Sequence, residues 1–270
     1  MPEGHTIHRL ARDLRRTLAG APVRATSPQG RFAAGAALLD GEAIRSSEAW
    51  GKYLFVDFGD GRVLHVHLGL IGKFRAVDPS TPTRDSIRLR LTGDGGDRGP
   101  AATPTWDLTG PTRCEIITPP ERRHIVANLG ADPLRRRPDV TGAAARIRST
   151  DKPIGAVLLD QSIIAGIGNV YRAELLFVCG IHPERPGSRL SDEEFSMLWS
   201  EATRLLRIGV RLGRIVTTDP VEIGRPRASM TSDDALYVYH RDHCRRCGTE
   251  LTTVELGGRP MQFCPICQPR

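Results

Sequence analysis

Residues 158–177 read LLDQSIIAGIGNVYRAELLF. An apolar helix is predicted to run into Gly166 and Gly168, and a new helix to start at Asn169. Two helices joined through a glycine turn form a helix-turn-helix-like unit. The start of the second helix would offer backbone N–H groups to a phosphate, with Asn169 as a side-chain donor. Taken alone, Gly-x-Gly-Asn is more often a helix-packing turn, so its meaning depends on its surroundings.

Downstream, Cys244, Cys247, Cys264 and Cys267 are spaced C-x2-C-x16-C-x2-C. That spacing lets two turns present four thiolates tetrahedrally to one structural zinc ion. A disulfide is disfavoured in a chain without an export signal. His243 is a possible substitute ligand, although four cysteines already close the site. Cys114 and Cys179 are expected to be buried free thiols. Between the cysteine pairs, ELGGRPMQF reads as a hairpin turning at Gly257 and Gly258, with Arg259 at or beside its tip. An arginine on a metal-stapled hairpin suits phosphate gripping.

Upstream the period is different. Ile7, Leu10, Ala11, Leu14 and Leu18 predict one amphipathic helix, stopped by Gly20 and Pro22. YLFVDFGDGRVLHVHLG predicts a hairpin around Asp60-Gly61, and SIRLRL puts Ile87, Leu89 and Leu91 on one face with Arg88 and Arg90 on the other. Residues 93–105 read as a flexible surface loop and LGADPLRRRPD at 129–139 as an interdomain linker. Helices are predicted over TGAAARIRS, IGAVLLDQ, NVYRAELLFVCG and SDEEFSMLWSEATRLLRIGVRLG, the last opened by a Ser191/Glu194 capping box. Residues 215–235 read as a long loop, and ALYVYH as a final strand.

The formal charge is +7 and the pI about 9.4, which favours an anionic partner, nucleic acid first. Arg204, Arg207, Arg211 and Arg214 would share one helix face, opposite an apolar stripe of Phe195, Leu198, Trp199, Ala202, Leu205 and Leu206. Such a face is either solvated or tracks phosphates. Of 38 basic residues only Lys52, Lys73 and Lys152 are lysines, a hint that a compact ammonium is needed where one is kept. No apolar run reaches the roughly 18 residues of a membrane span. The N-terminus has no signal-peptide core, so a cytoplasmic location is expected. The chain opens MPEGHT, where Pro2 and Glu3 could be no more than a helix start, the acid complementing the helix dipole.

MPEGHT, GKYLF at 51–55, HLGLIG at 67–72, DQSIIAGIGNVYRAELLF at 160–177 and the finger ending FCPICQ occur in order along the whole chain. Together they resemble the formamidopyrimidine-DNA glycosylase and endonuclease VIII family of bifunctional base-excision repair enzymes, the MPEG opening being more like the endonuclease VIII branch. The resemblance implies removal of Met1 and attack on C1′ of a damaged nucleotide by the Pro2 amine, with Glu3 as general acid/base. It also implies phosphate contacts from Lys52, Asn169 and Arg259, and an apolar wedge at Leu70 with Ile71 beside it. The alternative for Leu70 is a cap on the β core. Glu174 is expected to be a structural ion-pair partner. Gly69, Leu70 and Ile71 look more like the formamidopyrimidine branch, whereas the 215–235 loop shows no clear match to it.

The expected fold is α+β and multidomain. A catalytic β-sandwich domain with the N-terminal helix spans 1–130, a linker 131–138, a helix-two-turn-helix domain 139–236 and a zinc finger 237–270, with DNA in the basic cleft between the domains. The expected protein is a monomer that binds damaged double-stranded DNA, and single-stranded DNA as a second form, with one structural Zn2+ and no membrane; in a bacterium it would be nucleoid-associated. The expected activity is removal of oxidised bases, pyrimidines first, followed by β,δ-elimination. The alternatives are a purine glycosylase of the same family, a non-catalytic zinc-finger DNA-binding protein on the same scaffold, and a family member acting chiefly on single-stranded abasic sites.

Overall fold

A computed structural model describes residues 1–59, 61–93 and 104–270. Asp60 of the expected hairpin tip and nearly all of the expected 93–105 loop lie outside the described residues. The chain divides into two compact units, Met1–Pro2 with Ile7–Asn128, and Glu3–Thr6 with Leu129–Arg270. No helix of the described residues is long and apolar enough to cross a membrane.

The first unit contains most of α1 (Gly4–Leu18), β1 (Val23–Thr26), α2 (Ala33–Leu39), β2 (Ile44–Trp50), β3 (Tyr53–Phe58), β4 (Val63–His67), β5 (Lys73–Val77), β6 (Ile87–Gly93), β7 (Thr105–Thr109), β8 (Arg113–Ile117) and α3 (Pro119–Ala127). The strands form two four-stranded antiparallel sheets, ordered β1-β6-β7-β5 and β2-β3-β4-β8. One core joins them: Leu54, Val56, Leu64 and Val66 from one sheet meet Leu89, Leu91 and Leu108 from the other, and Ile7, Leu10 and Leu14 of α1. β6 alternates as expected, and its outward Arg90 forks onto Asp107, its register partner on β7, at 2.7 and 2.8 Å. β3 and β4 are buried on both faces because Phe55 and Val63 also pack with Ile117 against Ile125 and Val126 of α3. That helix was not anticipated, although Thr118 and Glu121 form a capping box at its start, followed by proline.

The second unit contains α4 (Val140–Arg148), α5 (Ile154–Val157), α6 (Asn169–Val178), α7 (Asp192–Leu212), α8 (Pro220–Ile223), β9 (Thr252–Glu255) and β10 (Pro260–Phe263). The Ser191/Glu194 capping box forms as expected. α7 stops at Gly213, whose φ is 74°, so Arg214 leaves the arginine face and donates to the carbonyls of Arg227 and Met230. The 129–134 stretch is built into this unit: Gly130 and Ala131 donate to the carbonyls of Gln161 and Ile163.

Two sequence expectations are corrected. The helix expected to run up to Gly166 ends at Val157. Beyond it the Gln161 side chain replaces helical bonding, its Nε2 donating to the carbonyls of Leu159 and Ile167 and its Oε1 accepting from Gly166 N–H. Residues 235–240 form no strand because their N–H groups have another partner. Those of Tyr237, Val238 and Tyr239 donate to the buried Glu174 carboxylate at 2.8–2.9 Å, and Thr217 Oγ1 also donates to it. Glu174 is structural as expected, but these backbone groups take the place of the ion-pair partner.

Glu174→Gln keeps the shape while turning part of this acceptor into a donor that faces N–H groups. A loss of about 1–3 kcal/mol is expected by urea denaturation; an unchanged midpoint would mean that water replaces the carboxylate.

Candidate active site and metal centre

Helix α1 begins at Gly4, so Pro2 and Glu3 precede it instead of forming its first turn. Glu3 is fully buried. Its Oε2 accepts from the N–H groups of Gly168 (2.7 Å) and Tyr171 (3.4 Å), and its Oε1 from that of Val170 (2.9 Å). These groups open α6, whose own cap residue, Gly168, has no side chain. A carboxylate 165 residues away therefore caps the helix and meets the positive end of its dipole. Two readings change. Glu3 complements a different helix from the one it precedes, and these three N–H groups are taken by Glu3 and are not open to a phosphate.

The glycines permit this approach. Gly4 N–H donates to the Gly166 carbonyl at 2.8 Å, and a Cβ on Gly4 would lie 2.9 Å from the Gly166 Cα. A Cβ on Gly168 would lie 2.5 Å from the Glu3 carboxyl carbon. His5 is buried edge-on to Tyr171, with its Nδ1 unpartnered. Burial, then the N-terminal charge, lowers its pKa to about 3.

The side chains of α6 also hold the cysteine-bearing hairpin. Asn169, 6% exposed, donates from Nδ2 to the Pro260 carbonyl at 3.2 Å, and its Oδ1 is buried without a partner. Arg172, fully buried, donates to the carbonyls of Gly155, Leu256 and Arg259 at 2.7–3.1 Å. Burial, then the Arg259 charge, lowers its pKa to about 10. The hairpin pairs β9 with β10 and turns where expected, with φ of 63° and 68° at Gly257 and Gly258, and the Arg259 side chain is exposed.

The four sulfurs of Cys244, Cys247, Cys264 and Cys267 lie within 4.8 Å of one another, with separations of 3.4, 3.6 and 3.9 Å along three edges. Zinc–sulfur bonds of about 2.3 Å in a tetrahedron require edges of about 3.8 Å, so the cluster fits zinc. His243 is exposed and outside it. Cys114 and Cys179 are half-buried free thiols, pushed up to about 12 by burial.

In the first unit, Pro2 is half-buried. Lys52 lies on the β2–β3 turn, near enough to His67 to add its charge to the burial that lowers that imidazole's pKa. In the loop after β4 it is Leu68, 3% exposed, that caps the core; Leu70 and Ile71 are 57% and 79% exposed. Gly72 N–H closes the loop onto the Leu68 carbonyl at 3.0 Å, and Thr112 Oγ1 bonds the His67 ring and carbonyl.

The second unit thus gathers Glu3, Asn169 and the Arg259 backbone around α6, while Lys52, Leu70 and Ile71 stand on turns of the first. Sequence reasoning missed Arg172 as the clamp on the hairpin. Its signal was an arginine that, with Glu174, interrupts a helix otherwise almost wholly apolar.

The described residues thus combine two packed four-stranded sheets, a helical unit and a four-cysteine cluster. Residues 1–99 match the formamidopyrimidine-DNA glycosylase N-terminal domain, 129–220 its H2TH domain, and 243–270 the zinc finger found in FPG and IleRS. Endonuclease 8 1 of Mycobacterium tuberculosis is 44% identical, over 99% of this chain and 100% of its own. Formamidopyrimidine-DNA glycosylase of Nocardioides sp. is 31% identical over 87% and 80%. The structure of the Lactococcus lactis Fpg complexed with a N7-benzyl-Fapy-dG-containing DNA aligns with a TM-score of 0.78 at 25% identity, covering both chains completely. The chain belongs to the formamidopyrimidine-DNA glycosylase/endonuclease VIII family of DNA glycosylase/AP lyases.

Gly168→Ala should displace the Glu3 carboxylate. The expected result is lost amide-exchange protection at Val170 and Tyr171 and about 1–3 kcal/mol of stability; retained protection would refute the tight contact. His5, His65, His67 and His182 all have pKa values lowered chiefly by burial. Below pH 6.5 the unfolded chain binds protons that the folded chain refuses, so stability falls as pH falls, by up to about 1.4 kcal/mol per pH unit for His5 alone. Urea midpoints at pH 7.5 and 5.0 should differ less in His5→Gln than in the parent.

Proposed function

We propose that this chain removes oxidised bases, pyrimidines first, from duplex DNA and then cuts the strand, with the Pro2 amine as nucleophile. The observation that carries this reading is the buried Glu3 carboxylate on the α6 N-terminus, immediately after Pro2 in the chain. Proline is small enough for Met1 removal, and an α-amine titrates near 7.7–8.0, far below the roughly 10.4 of lysine. The amine attacks C1′ and the glycosidic bond breaks, the base leaving with a solvent proton. Glu3, surrounded by N–H donors that suit a carboxylate, takes the amine's proton and delivers it to O4′ as the sugar opens to the iminium. Loss of a C2′ proton expels the 3′ phosphate, loss of a C4′ proton expels the 5′ phosphate, and water releases Pro2.

Lys52 and Arg259 grip the phosphates flanking the extruded nucleotide, joined by the second N–H of the Asn169 amide, whose first is on the Pro260 carbonyl. Leu70, with Ile71, fills the gap it leaves. Cys244, Cys247, Cys264 and Cys267 would hold one zinc ion, which supplies rigidity to the hairpin bearing Arg259 and takes no part in the reaction. The pyrimidine preference rests on the 44% identity to an endonuclease 8 against 31% to a formamidopyrimidine-DNA glycosylase. A formamidopyrimidine substrate is the second reading, favoured by the apolar Leu70-Ile71 pair.

Borohydride trapping on an oligonucleotide with one abasic site, followed by peptide mapping, tests the mechanism. An adduct at Pro2, absent from Pro2→Gly with Met1 removal confirmed by mass, is expected. No adduct from a zinc-loaded, Met1-free protein that binds the DNA would overturn it. A lesion panel should give the higher kcat/KM on oxidised pyrimidines; the reverse order selects the second reading.

A further inference from the structure

The outer face of α7 carries an open groove of about 640 Å³ that the lesion chemistry does not use. Its lining includes Trp199, Thr203, Arg204, Arg207, Ile208 and Arg211. Residues 199, 203, 207 and 211 follow one another at intervals of four, a single row along the helix with a step of about 6 Å. The row runs from an indole through a hydroxyl to two guanidinium groups.

Three observations indicate that this row is built for a ligand. Thr203 Oγ1 is buried with no hydrogen-bond partner, although a helical threonine hydroxyl ordinarily bonds the carbonyl one turn back. Arg207 is exposed and forms no salt bridge among the described residues, whereas Arg204 is committed to Glu201 at 2.5–3.1 Å. Across the adjoining loop, Arg227 Nε is also buried without a partner. Burial and then the charge of Arg204 lower the pKa of the Arg227 guanidinium; Arg211 adds to this, and Asp219 and Tyr237 oppose it. The face therefore has an excess of crowded cations beside a flat aromatic ring, which Phe195 backs at 6.3 Å.

Guanidinium groups at one-turn intervals match the phosphates of a strand, and an indole beside them matches an unpaired base. A duplex would meet the arginines but keep its bases stacked inside, out of reach of the half-buried Trp199 indole. We propose that the α7 groove docks single-stranded DNA, with a base on Trp199 and its neighbouring phosphates on Arg207 and Arg211. An enzyme that cuts one strand generates frayed ends of this chemistry.

The test uses the full chain saturated with a duplex containing a tetrahydrofuran abasic analogue, to which a fluorescein-labelled dT octamer is added and followed by anisotropy. A 1:1:1 complex is expected. R207A/R211A should weaken octamer binding at least tenfold and reduce the slope of log K against log salt by about 1.4, two phosphates at about 0.7 each. Trp199→Ala should weaken it roughly tenfold and Trp199→Phe much less, with the duplex trapping yield within twofold of the parent in each case. Failure of the octamer to bind, insensitivity to R207A/R211A, or equal loss of a labelled undamaged duplex would overturn the proposal. The readout is binding, so absence of a Pro2 adduct would not affect it.

Discussion

The arrangement depends on one constraint: α6 is buried along nearly its whole length yet carries charged groups. Asn169 through Phe177 are all buried, Arg172 and Glu174 among them. A buried charge without partners costs several kcal/mol even after relaxation. Here the charges are matched by the backbone. Glu3 and Glu174 each accept from three main-chain N–H groups, and Arg172 donates to three carbonyls. Each carboxylate meets the positive end of peptide dipoles and the guanidinium the negative end. Each of these sets works only if the backbone segment supplying it is held in place, so the charges fix three distant segments onto one helix.

That arrangement has a consequence for the proposed chemistry. Glu3 is immobilised on the α6 N-terminus, and Pro2 is one peptide bond away. Arg172, one turn along the same helix, holds the carbonyls of the turn that carries Arg259, and Asn169 holds Pro260. The acid/base group and the hairpin arginine are therefore referenced to a single rigid element. A metal ion held by Cys244, Cys247, Cys264 and Cys267 would stiffen the other end of the same hairpin, which lies between the cysteine pairs. Preorganisation of this kind means that little reorganisation is required when a phosphate and a sugar arrive.

Local signals were legible in the sequence. The Ser191/Glu194 box, the Gly257-Gly258 turn and the cysteine spacing involve residues close enough in the chain for side-chain chemistry to determine the geometry. The α6 start at Asn169 was legible for the same reason. What failed was long-range. ALYVYH has a strand's composition, but strand propensity reflects packing on a pleated surface, and Glu174 offered its N–H groups a different partner. Residues 158–165 have a helix's composition, but the Gln161 amide captures the groups a helix would pair. Glu3 and its helix are separated by 165 residues, a distance no periodicity spans. The capping box of α3 is a local signal, but the stretch around it has so little apolar pattern, with no buried residue in the helix, that no periodicity marks the helix that follows.

Leu70 and Ile71 illustrate the opposite economy. Large apolar side chains at 57% and 79% exposure forgo burial worth about 1.5–3 kcal/mol each when complete. The loop is not loose: Gly69 has a φ of 67° and sits against Thr112, and a Cβ on Gly72 would lie 2.2 Å from the Leu68 carbonyl oxygen. The backbone is thus shaped to hold both side chains out of the core, where Leu68 already occupies the inward position. Under the proposed reading the burial forgone in the free protein is recovered in the gap left by an extruded nucleotide. Its size is comparable with the few kcal/mol that unstacking and unpairing a base require. A mismatched or damaged base costs less to extrude, so with the wedge energy common to both, that lower cost alone favours lesions over intact pairs, and the wedge brings extrusion within reach without contacting the lesion.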